Sequence, residues 1–202
     1  GEPFRDLWQD GIRGETTDDI ADVGDTVGEF YSLLPAAGAT FVAGAATGDK
    51  NLQAASLEAI QTLAITAGFV KALKYGTGRH RPNASPDTAF EFDGPSLDGD
   101  NKSFVSGHAA YSFSVASVFA SAYGDNAFVP PIAYGLASIS ALSRVNDDKH
   151  WLTDVLVGGA MGVIIGKLVH HTSPFRRGAG RRVSVRPYHR SGADGVQISL
   201  KF

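Results

Sequence analysis

LQAASLEAIQTLAITAGFVKALKY, residues 52–75, decides the fold class. Leu52, Leu57, Ile60, Leu63, Ala64, Ala67, Phe69 and Val70 recur at helical spacing, which predicts a long helix with a broad apolar face. Gly76 and Gly78 end it. The pattern continues on both sides. Toward the N-terminus, TGDKN at 47–51 reads as a turn, and 28–46 as a helix that Pro35 kinks or breaks. Residues 18–27 read as a short amphipathic helix. Residues 1–17, with Pro3, Gly11 and Gly14, read as an arm or short turns. Toward the C-terminus, a helix over 106–124 opens on Ser106 as N-cap and closes at Gly124. Another over 130–143 carries Pro130 and Pro131 in its first turn, where proline is tolerated. Asp147 or Asp148 is expected to cap a further helix that runs to about His171.

The last segment changes period. In VSVRPYH and VQISLKF apolar and polar residues alternate around the turn sequence RSGADG, which predicts a two-stranded hairpin with one apolar face laid on the helices. The expected fold is therefore all-α, a bundle of about five to seven helices with a C-terminal β-hairpin appendage. The chain of 202 residues is read as one domain, with a helical core over 18–171 and a basic linker plus hairpin over 172–202.

Charge is uneven although the net value is only -3. Acids run from Glu2 to Glu29 against Arg5 and Arg13. Arg176, Arg177, Arg181, Arg182, Arg186 and Arg190 face Asp194 alone near the other end. Mutual attraction of the two ends, or plain solvation, accounts for this as well as a basic surface does. The run RRGAGRR is compatible with anionic headgroups and so with peripheral membrane contact. A solvated linker fits it better, and no nucleic-acid partner is expected. Cysteine is absent, which points to an extracytoplasmic, periplasmic or envelope location without disulfides. No signal peptide is visible in this chain. Residues 30–48 and 103–124 are free of Asp, Glu, Lys and Arg, but they are rich in Ala, Ser and Gly. Mean hydropathy over the chain is only -0.05, so both are expected as buried helices of a soluble bundle.

Three polar clusters interrupt this apolar pattern. KYGTGRHRP (74–82) places Lys74 at a helix end and Arg81 beyond it. SFVSGHAAYS (103–112) opens a helix on Ser106-Gly107-His108, whose unpaired N–H groups suit an anion. SRVNDDKHWLTD (143–154) holds Arg144, then His150 and Asp154 four residues apart, a spacing that shares one helix face. Each alone also reads as capping or surface charge. Together, two arginines, a lysine, a helix N-terminus and two histidines are what phosphoryl transfer through a covalent histidine requires. Cations and N–H groups hold the phosphate oxygens, one histidine attacks phosphorus, and the other protonates the leaving oxygen. No metal site emerges from the spacing. The long polar loop over 79–103, with Phe90 and Phe92, suits a lid or a surface excursion equally.

Lys74-x6-Arg81-Pro82, Ser106-Gly107-His108 and Ser143-Arg144-x5-His150-x3-Asp154 resemble the three signature motifs of the type 2 phosphatidic acid phosphatase family. Its superfamily also holds bacterial non-specific acid phosphatases and vanadium-dependent haloperoxidases. The resemblance implies that Lys74, Arg81 and Arg144 bind phosphate oxygens, with added hydrogen bonds from Ser106 and Gly107. It implies His108 as general acid, His150 as the nucleophile that becomes phosphohistidine, and Asp154 as its orienting carboxylate. Val105 stands where the family usually has proline. The implied activity is a metal-independent phosphatase acting on a phosphomonoester or pyrophosphate, on a lipid by analogy. It needs no cofactor, and vanadate is expected as an inhibitor. The alternatives are a vanadium-dependent haloperoxidase and a non-catalytic module for phosphate or lipid headgroups.

Overall fold

The computed structural model describes residues 2–87, 89–95 and 102–176, together with the backbone of 183–190 and 193–200. Seven α-helices make up the first unit: α1 (Glu2–Asp6), α2 (Glu15–Gly28), α3 (Phe30–Thr47), α4 (Lys50–Thr77), α5 (Gly107–Ala122), α6 (Val129–Asn146) and α7 (Leu152–Thr172). The all-helical core matches the expectation, but its N-terminal edge does not. Residues expected as an arm form α1, a following π-type turn over Leu7–Ile12, and the first turn of α2. They are ordered by the α6–α7 corner. Trp8 Nε1 donates to Asn146 Oδ1 at 3.2 Å and Gln9 Nε2 to Val145 O at 2.9 Å. Contacts between distant segments of this kind cannot be read from local composition.

Helix α5 is the hub, packed on α4, α6 and α7. Its seam with α7 is lined by glycine on the α7 side. A Cβ at Gly158 would lie 2.6 Å from Ser106 O, and those at Gly162 and Gly166 would strike Ala110 O and Ser114 O. Glycine at these three positions, one turn apart, lets the two backbones approach and brings the start of α7 beside the start of α5. Val105, in the family's proline position, is wholly buried in a cluster with Val70 and Ala110. Along α4, Glu58, Thr62 and Thr66 are buried at four-residue intervals, and Glu58 Oε2 holds His170 Nδ1 at 2.9 Å. That pair fixes the far end of α7 to α4.

The two uncharged stretches part ways. Residues of α5 are mostly buried, as expected. Helix α3 is not a buried helix: only Ala37 and Gly44 on it are buried, and Val42 is 66% exposed. Both α3 and α7 are long and apolar enough to cross a membrane. Composition alone could not separate a helix apolar because it is enclosed from one apolar on an open face.

The second unit spans Ser173–Phe202. In it Val183–Arg190 and Ala193–Leu200 pair antiparallel, Val183 opposite Leu200 and Arg190 opposite Ala193. The run over 177–182 and the side chains of the strands lie outside the described residues, so the expected apolar face is not described.

Candidate active site

SRVNDDKHWLTD turns a corner instead of opening a helix. Arg144 sits in the last turn of α6, Asp147 follows as its C-cap, and α7 starts only at Leu152. His150 therefore lies in the turn before α7, not on its face. Neither Asp147 nor Asp148 caps α7. Asp148 has a positive φ of 56°, and Arg5 grips its carboxylate through Nε at 2.7 Å and Nη2 at 2.6 Å. The side chain that caps α7 is Asp154, whose Oδ2 accepts from Trp151 N at 3.0 Å.

Asp154 is the most tightly held group of the site. It is fully buried, and besides Trp151 N its Oδ2 takes Ser103 Oγ at 2.5 Å, while its Oδ1 takes Arg79 Nη1 at 2.5 Å. His150 Nδ1 is 3.7 Å from Asp154 Oδ2, beyond hydrogen-bond reach, and 3.4 Å from Ser103 Oγ. The carboxylate thus reaches the imidazole mainly through Ser103. Burial pushes His150 well down, to about 3; Lys74 and Arg81 add to this, and Asp154 opposes it. The ring is therefore neutral at ordinary pH, the state a nucleophile needs.

The predicted cations gather around this pair. Lys74, in the last turn of α4, donates to Lys102 O at 2.6 Å. Burial and then the charge of Arg81 push it down to about 8, with Arg144 adding to the effect and Asp154 opposing it. Arg81, Arg144 and Asp154 are thus all within electrostatic reach of Lys74. Arg144 Nη1 binds Asp25, on α2, and Asp147 at 3.2 Å, while its buried Nε has no hydrogen-bond partner among the described residues.

At the start of α5, Ser106 is committed to structure. Its N–H donates to Asp154 O at 3.1 Å and its Oγ caps Ala109 N at 3.5 Å. Only the N–H groups that follow, at Gly107 and His108, lack partners within the helix. The Ser106 N–H is thus engaged, while its hydroxyl, an acceptor from Ala109 N, keeps a proton to donate. His108 Nε2 lies 3.0 Å from Asp25 Oδ1, an ion-pair approach out of line for a hydrogen bond. Burial, then Arg144, pushes His108 down to about 4, and Asp25 acts against both.

Three residues of the site were not singled out from the sequence. Arg79 is buried to 3% exposure, ties Asp154 to Thr153 Oγ1 (2.9 Å) and Ala89 O, and stacks over Phe92 at 5.2 Å. Ser103 bridges His150 and Asp154. Asp25 comes from a helix outside all three motifs. Together with Glu29 it also places ligand atoms within 4.8 Å of His108, a group able to hold a cation that sequence spacing did not show.

Residues 55–177, more than half the chain, match the PAP2 superfamily. The chain is 32% identical over 141 residues to the lipid A 1-phosphatase of Porphyromonas gingivalis, covering 68% of this chain and 28% of that protein. It is 31% identical over 130 residues to a PA-phosphatase related-family protein of Dictyostelium discoideum, covering 57% of this chain and 47% of that protein. The chain thus spans less than half the length of these curated relatives. The crystal structure of Aquifex aeolicus LpxE shares the fold, with a TM-score of 0.54, 20% identity, and coverage of 83% of this chain and 92% of that one. The three motifs meet in one site, and the family match contains every one of them: this chain belongs to the PAP2 superfamily.

Proposed function

We propose that the chain is a phosphatase that removes phosphate from a lipid-borne monoester or pyrophosphate, through a phosphohistidine at His150 and without a metal. The observation that carries this is the neutral, buried His150 backed by Ser103 and a locked Asp154, beside Lys74, Arg81 and Arg144. With Nδ1 turned to Ser103, Nε2 is left to attack phosphorus. The P–N bond forms as the P–O bond to the leaving group breaks, and His108 gives its proton to the departing oxygen. Water then attacks phosphorus, the P–N bond breaks, His108 takes the proton from water, and phosphate leaves. The cations and the α5 N–H groups stabilise the charge on the equatorial oxygens throughout.

The protonation pattern carries a pH prediction. In the free enzyme His150 must be neutral, so it must be above its pKa of about 3, and His108 must be charged, so it must be below its pKa of about 4. The kcat/KM value reports the free enzyme. It is expected to be higher at pH 5 than at pH 8, and to fall more steeply as Lys74 loses its proton through about 8. Initial rates across pH 4–9 check this, and a profile that rises with pH contradicts it.

A lipid A 1-phosphatase and a PA-phosphatase related protein among the relatives, and apolar side chains left on the surface, support a lipid substrate. Val42 of α3, Ile132 of α6, and Leu156, Ile164 and Leu168 of α7 are all exposed. We place α3 and α7 against acyl chains, with the site at an extracytoplasmic membrane face. The test is phosphate release in excess EDTA from p-nitrophenyl phosphate, phosphatidic acid, phosphatidylglycerol phosphate, lipid A and undecaprenyl pyrophosphate. Turnover in EDTA, fastest on a lipid, is the expected result. Activity that EDTA abolishes would assign the Asp25–Glu29–His108 group to a metal. Silence across the panel, with vanadate-dependent bromide oxidation, would favour a haloperoxidase.

A further inference from the structure

Helix α2 lies before the residues that match the family, yet it is built into the site. A Cβ at Gly24 would lie 2.7 Å from Ile139 O, and one at Gly28 would strike Ser140 and approach His108 Cδ2 to 3.3 Å. Only glycine at both positions lets α2 lie this close to α6. That packing delivers Asp25, between the two glycines, to Arg144 Nη1 and to within 3.0 Å of His108 Nε2. The carboxylate is 40% exposed, so it can swing away at little cost in packing. We propose that Asp25 is a positioning residue for the reaction: it holds the proton on His108 and covers Arg144 until the substrate phosphate takes its place.

The inference rests on the phosphatase reading above. The charged groups that face His108 are Asp25 from α2, Glu29 from the α2–α3 junction, Lys71 and Lys74 from α4, and Arg144 from α6. The cations disfavour a second positive charge on the imidazole. Asp25 is the carboxylate in contact with both His108 and Arg144, so it counters them where the general acid needs its proton. An anion bridging His108 and Arg144 also occupies a place suited to a phosphate oxygen. Arriving phosphate brings its own negative charge to His108 and thereby replaces what Asp25 supplied. The exposed side of the Asp25 carboxylate leaves it solvent to move into when phosphate arrives.

The test compares wild type, Asp25→Asn and Asp25→Glu for the pH profile of kcat/KM and for inhibition by inorganic phosphate. His150→Ala is run alongside. Asp25→Asn is expected to move the alkaline limb to lower pH by about one unit, since an adjacent opposite charge shifts a pKa by that order. It is also expected to tighten phosphate inhibition by about fivefold, the scale of a partly exposed ion pair. Asp25→Glu keeps the charge and is expected to hold the limb at its wild-type position. A merely structural role for Asp25 would change the unfolding midpoint and leave both readouts where they are. Either readout at its wild-type value in folded Asp25→Asn overturns the inference, as does a limb that shifts equally in Asp25→Glu. An active His150→Ala would instead overturn the phosphatase mechanism beneath it.

Discussion

His150→Ala is expected to lower kcat by at least about 10⁴-fold, the scale seen when a covalent nucleophile is removed. Substrate binding should survive, because Lys74 and Arg144 do not depend on the His150 ring for their positions. Lys74 is placed by α4 and by its bond to Lys102 O. Arg144 is placed by α6 and by its bonds to Asp25 and Asp147. The variant should therefore keep phosphate or vanadate affinity while losing turnover. Single-turnover assays and a binding titration check the two halves. Near-normal turnover would mean that some other group attacks phosphorus.

Arg79→Ala is expected to have the largest effect on stability. The Arg79–Asp154 pair is enclosed on both sides, with side chains 3% and 0% exposed. Removing the guanidinium leaves a buried carboxylate with only Ser103 Oγ and Trp151 N for partners, and breaking one side of such a pair costs about 3–5 kcal/mol. It also releases Ala89 O and the stack on Phe92, so the loop segments 79–87 and 89–95 should loosen. Arg79→Lys should recover little, because a point charge cannot reach Asp154, Thr153 and Ala89 O at once. Denaturant unfolding measures the loss, and turnover should fall with it, since Asp154 no longer has a fixed position. A midpoint unchanged in Arg79→Ala would remove Arg79 from the account.

These two predictions also show what could be read from the sequence. His150, His108, Asp154, Lys74, Arg81 and Arg144 could be singled out because each belongs to a motif whose residue types carry a chemistry, and the fold brings the three motifs to one place. Arg79 belongs to the same motif as Arg81 but lies in a loop with no period, where nothing local says which cation turns inward. Ser103 is one serine in a polar loop, and its role appears only when α7 brings Asp154 beneath it. Asp25 is one of many acids near the N-terminus, and the Gly24–Gly28 approach to α6 selects it. The place of His150 was misread for a local reason. The four-residue spacing to Asp154 holds, but the positive φ at Asp148 delays α7 until Leu152, so the two groups meet across a helix start. Among the helices, periodicity found α4 and α5 well. It could not tell that α3 leaves its apolar surface open, because both kinds of helix obey the same pattern.

The central claim is a covalent phosphate on His150. The most direct measurement is rapid quenching of the enzyme into alkali during turnover of a ³²P-labelled lipid phosphate, followed by peptide mapping. The account predicts acid-labile, alkali-stable label on the peptide holding His150, absent from His150→Ala and unaffected by EDTA. Turnover with no protein-bound label, or label on any other residue, would contradict it.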